Sequence, residues 1–163
     1  MSKKITFIGC VLAFAVILGY IEFLLPISIG IPGVKLGLAN TAFVFLLYKI
    51  GFKEAFAVNT ARIILTCLLF GNILSAFYSI CGGILSMLTM LLFKKLKFFG
   101  CTGISVIGGI FHNIGQLLAA KLILQTNAVF FYTPVLIISG VVTGFLIGII
   151  SVILIKKLRS VNI

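Results

Sequence analysis

Arg62 sits in "AVNTARIILTCLLF", where almost every neighbour is apolar. Asn59, Arg62 and Thr66 recur at i, i+3 and i+7, so a helix would place all three on one face. A charge at the centre of a membrane helix costs about 2.5–3.5 kcal/mol on insertion scales. A guanidinium keeps its proton in proteins, so Arg62 must find acceptors or an anion. A second polar group occurs in "GGIFHNIGQLLAAK", where His112 and Gln116 are i, i+4 and Asn113 is adjacent. One imidazole and two amides offer hydrogen bonds rather than metal ligation, because zinc wants three or four ligands and the chain has one His and no Asp. Gly108, Gly109 and Gly115 leave room beside them. A third segment, "GIPGVKLGLANTA" at residues 30–42, combines Pro32, Lys35 and the glycines 30, 33 and 37. Such backbone adopts turns that other residues avoid, and exposed N–H groups there would suit an anion. Each cluster has a plainer alternative: Arg62 tying helices together through carbonyls and amides, His112 as a hydrogen-bonded core residue, and 30–42 as an outer hairpin.

The elements that hold these residues follow from composition. The chain has 163 residues, 62% hydrophobic and 9% charged, with a mean hydropathy of +1.36. Soluble domains carry roughly 25% charged residues, so this is a membrane protein, of a length that suits one bundle in a single domain, 1–163. Stretches near the length that crosses the hydrocarbon core fall at about 5–25, 35–50, 54–70, 72–93, 101–124 and 131–155. The four cysteines (Cys10, Cys67, Cys81, Cys101) show no C-x-x-C spacing and read as small packing residues.

Charge tests this count. With six spans, Lys3, Lys4, Lys49, Lys53, Lys94, Lys95, Lys97, Lys156, Lys157 and Arg159 all fall on one side. The positive-inside rule makes that side cytoplasmic and puts both termini there. Five or seven spans would scatter the clusters. Lys35 and Lys121 remain on the outer side, and the basic excess needs no nucleic acid to explain it. Of the two acids, Glu54 belongs near the cytoplasmic start of the third helix, and Glu22 could pair with Lys35. Small residues at helical spacing, Gly9 with Ala13, Ala15 with Gly19, and Gly140, Gly144 and Gly148, allow close helix approach. The reading is packing within the bundle, or docking of another membrane protein on the first helix.

"IPGVKLGLANTAFVFLLYKIGFKEA", "FGNILSAFYSICGGILSMLTM", "GGIFHNIGQLLAA" and "YTPVLIISGVVTGFLIGII" resemble the Gx transporter family, many of whose members carry the name heptaprenyl diphosphate synthase component I. That family looks like the substrate-binding S components of energy-coupling factor (ECF) transporters. The resemblance implies an all-α, six-helix bundle in a bacterial cytoplasmic membrane, capturing a scarce nutrient outside and reorienting on a membrane coupling protein with two ATPases. Prenyl diphosphate synthases hold Mg²⁺ with clustered aspartates, and this chain has no Asp. Nor does it have a G-x-x-x-x-G-K-[ST] phosphate loop. The expectation is therefore a non-enzymatic subunit with no cofactor, its ATPases on separate chains. It would bind a small, partly apolar anion through Lys35, Asn40, Asn59, Arg62, Tyr78, His112, Asn113 and Gln116. Gly30, Pro32, Gly33 and Gly37 would form a gating loop, and Gly9, Ala13, Ala15 and Gly19 a coupling face in place of the S components' A-x-x-x-A. A noncatalytic subunit for a prenyl synthase or quinone pathway, and a structural subunit of a membrane redox assembly, are the alternatives.

Overall fold

The computed structural model describes residues 2–24, 37–71 and 73–159. They form six α-helices: α1 (Ser2–Leu24), α2 (Asn40–Lys49), α3 (Phe52–Phe70), α4 (Ile73–Leu96), α5 (Cys101–Leu124) and α6 (Thr133–Lys157), with a 3₁₀ turn over Asn127–Tyr132 before the last. The described residues contain no strand. Lys35 and the gating-loop positions Gly30, Pro32 and Gly33 lie outside the described residues.

Six helices are what the sequence predicts, but among the described residues only α1, α4, α5 and α6 are long and apolar enough to cross a membrane. The second helix, expected over 35–50, is observed over ten residues, 40–49. At 1.5 Å per residue it is about 15 Å long, half the hydrocarbon thickness. Its sequence explains its place. "NTAFVFLLYK" is apolar all round, and a helix of that kind belongs inside. Thr41 through Leu47 are all buried, in a core shared with Ala55, Val58, Met87, Met90, Ile104 and Ile147. α2 is a half-length helix wrapped by the others. α3 has the length but carries Lys53, Glu54 and Arg62.

Lysines tie one end of the bundle together. Lys4 pairs with Glu54 at 2.6 Å. Lys49 Nζ donates to the Leu158 carbonyl at 2.9 Å, and Lys94 Nζ donates to the Leu47 carbonyl while lying over the Tyr48 ring. These are favourable cation positions at helix C-termini, whose last carbonyls have no intrahelical partner. The start of α1, the α2–α3 turn and the ends of α4 and α6 therefore gather at one end, and the helices alternate in direction. Both described chain ends lie there.

The glycines of α6 face α5. A Cβ on Gly140 would stand 2.8 Å from the Gly109 carbonyl oxygen, one on Gly144 2.7 Å from that of Ser105, and one on Gly148 2.7 Å from Thr102 Cα. α4 approaches α5 in the same way, a Cβ on Gly115 falling 2.8 Å from the Cys81 carbonyl oxygen. The small residues of α1 divide instead. Ala15 is fully buried, and a Cβ on Gly19 would meet Thr66 at 3.1 Å, so this pair packs inside and is no outward coupling face. Gly9 and Ala13 are exposed, with nothing within 4 Å of a Gly9 Cβ.

Candidate functional site

Helical rise brings the polar residues to one level. Asn40 opens α2, Arg62 lies midway along α3, His112–Gln116 midway along α5 and Thr143–Ile147 midway along α6. All fall about 15–23 Å from the basic end. A cavity of ≈ 30 Å³ opens between them, lined by Gly37, Asn40, Gly109, His112, Asn113, Gln116, Thr143 and Ile147. That is room for about two waters.

The amides around it are held in defined orientations. Arg62 Nη2 donates to Asn59 Oδ1 at 2.9 Å and to Asn40 Oδ1 at 3.3 Å. A guanidinium only donates, so Asn40 must present its oxygen to Arg62 and keep its NH₂ for the Gly37 side. Asn113 Nδ2 donates to the Leu136 carbonyl at 2.7 Å. That carbonyl can only accept, so the Asn113 oxygen is left for the cavity. Gln116 is 8% exposed, and its Oε1 is buried without a hydrogen-bond partner among the described residues. Leaving such an acceptor unmet costs about 1–3 kcal/mol. Thr143 Oγ1 donates to Ser139 O of its own helix at 2.9 Å.

Gly37 connects this wall to α1. Its φ of 70° lies in the left-handed region, and a Cβ there would meet both Asn40 Nδ2 and Ile147 Cδ1 at 3.2 Å. Glycine is needed for conformation and for space. The Gly37 N–H donates to the Glu22 carboxylate.

The expected site residues thus separate into two sets. Asn40, His112, Asn113, Gln116 and Gly37 line the cavity. Arg62 and Asn59 stand behind it and reach it through Asn40. Asn59 Nδ2 also donates to Met87 Sδ at 3.5 Å. Tyr78, half-buried on α4, is not among the lining residues. The Glu22 carboxylate accepts from Gly37 and faces the Arg62 charge, while the expected pairing of Glu22 with Lys35 lies outside the described residues. Gly109, expected beside the polar cluster, lines the cavity too, whereas Thr143 and Ile147 complete the wall and were not expected there. A hydroxyl in mid-span one residue before Gly144 was the available signal for Thr143.

A family model described as heptaprenyl diphosphate synthase component I matches residues 11–154. No curated protein and no solved structure matches the chain. The match covers α2 to α5 entire, nearly all of α6 and the second half of α1. The chain belongs to the heptaprenyl diphosphate synthase component I family, a family of membrane proteins also known as Gx transporters.

Proposed function

We propose that this family member is a substrate-capturing membrane subunit of an uptake transporter, of the ECF S-component kind, and not itself an enzyme. The observation that carries the reading is the cavity at mid-bundle: a polar chamber behind a half-length helix, with a nine-tenths buried Gln116 whose acceptor has no partner. Intramembrane polar residues are expensive, and in transporters they cluster near the bilayer midplane beside interrupted helices. α2 supplies that interruption. Ligand pockets usually span about 300–1,000 Å³, so a cavity of ≈ 30 Å³ receives only the leading group until the helices part. Energy would come from a membrane coupling protein and two ATPases on other chains. Gly9 and Ala13, exposed near the basic end of α1, are the small residues left for docking it. The basic end faces the cytoplasm in this reading, as the positive-inside rule requires.

The family's description favours a second reading, a noncatalytic membrane partner for a prenyl diphosphate synthase. The absence of Asp from the chain leaves any Mg²⁺–diphosphate chemistry to that partner. Affinity purification from native membranes separates the two. A transporter subunit should bring down a multi-span coupling protein with two ATPases. Recovery of a soluble prenyl synthase in their place would overturn the transport reading.

A further inference from the structure

The cavity is polar but carries no formal charge pair for an anion. Among the described residues its wall holds two fixed amides, a third amide in Gln116, the imidazole of His112, the Thr143 hydroxyl and two glycines, and no Lys or Arg. Arg62, the nearest candidate counter-charge, does not line it. Its Nη2 is committed to Asn40 and Asn59, and its charge is opposed by Glu22. A phosphate or carboxylate entering here would shed its water without gaining a cation, an expensive transfer in a low-dielectric interior.

The orientations argued above define what the wall offers instead. Asn40 presents an NH₂ donor because Arg62 claims its oxygen. Asn113 presents an oxygen because Leu136 claims its nitrogen. Gln116 adds an amide whose acceptor is orphaned, and the His112 imidazole stands in the same wall. Gly37 keeps a side chain out of the space between Asn40 and Ile147, both of which line the cavity.

On this basis, and resting on the reading of the cavity as a ligand site, we infer that it seats the neutral, planar polar edge of its ligand. That edge both donates and accepts hydrogen bonds, as a cyclic amide, imide or N-heterocycle does. At this depth the inference departs from the anionic ligand expected from sequence. Apolar parts of the ligand would lie against Ile147 and its surroundings.

Thermal unfolding of the purified full chain in neutral detergent tests this, with uracil and nicotinamide as neutral probes and inorganic diphosphate and acetate as anionic ones. The expected result is a rise in midpoint with uracil or nicotinamide, none with the anions at equal ionic strength, and about tenfold weaker binding in Gln116→Leu. Gln116→Leu removes an acceptor that has no partner, so the fold should survive it. Thr143→Val, whose hydroxyl bonds only its own helix, is the second variant if Gln116→Leu does not purify. Stabilisation by diphosphate or acetate but not by the neutral probes overturns the inference and leaves a ligand site standing. A neutral-probe shift unchanged in Gln116→Leu, or equal shifts from both classes, also overturns it. No shift from any probe overturns the inference and the ligand-site reading together.

Discussion

The two halves of the bundle are held by different forces. In α4–α6, backbones meet at glycines, and the α5–α6 seam repeats every four residues at Gly140, Gly144 and Gly148. In α1–α3, the helices meet through rings and a few polar links: Phe7 on Phe45, Tyr20 and Phe23 on Phe70, Lys4 on Glu54, and Arg62 on Asn40. Ala15 is the one buried residue among those described in α1. A glycine seam has two discrete outcomes, fitted or clashing, because backbone atoms cannot move aside as a side-chain tip can. Ring and hydrogen-bond contacts between separate helices tolerate displacement. The cavity lies where the two kinds of packing meet, with α5 and α6 as its fixed wall and Gly37 and Asn40 on the side that can yield.

Substitutions that exchange the two regimes should break this contrast or sharpen it. The largest effect is expected from Arg62→Met, which removes the charge facing Glu22 and leaves the oxygens of Asn40 and Asn59 without their Arg62 donor. A loss of about 3–5 kcal/mol is expected from breaking such a buried charge arrangement, read by chemical or thermal unfolding in detergent. Next comes Gly140→Ala, whose Cβ meets backbone on α5 and cannot be accommodated by a rotamer change. A destabilisation of about 1–3 kcal/mol follows from overpacking. If Gly140→Ala were neutral, the seam would not be the rigid element argued here. Glu54→Gln at the basic end should lower the unfolding midpoint only slightly, since Lys4 and Glu54 are both partly exposed, and the effect should shrink further with added salt. Gly9→Ala meets open space, so its unfolding midpoint should stay within about 0.5 kcal/mol of the parent. The same substitution weakening capture of a coupling protein would mark Gly9 as a contact residue.

Much of this architecture was legible in the sequence. Apolar stretches separated by lysine clusters marked all six helices, and α5 is observed over the very residues expected, 101–124. The i, i+4 glycines of α6 announced a close neighbour, though not which one. Lysine placement showed which ends share a face, while the links of Lys49 and Lys94 to helix C-terminal carbonyls needed coordinates, because a charge count carries no geometry. The half-length of α2 was hidden because apolar residues continue on both sides of its start. Hydropathy does not distinguish a buried short helix from the end of a span. The polar cluster was found from residue type and spacing, but its division into wall and support was not. Whether Arg62 faces the cavity or stands behind Asn40 depends on packing between α2 and α3, which no periodicity within α3 reports. Glu22 was missed as a partner for the same reason: its neighbour Gly37 lies fifteen positions along the chain.

The claim that this cavity holds a ligand is tested most directly by native mass spectrometry of the protein released from gently solubilised native membranes, wild type beside Gln116→Leu. The account predicts a bound small molecule on the wild type that is lost or strongly reduced in the variant. A wild-type mass equal to the bare chain, or an adduct equally retained by Gln116→Leu, would contradict it.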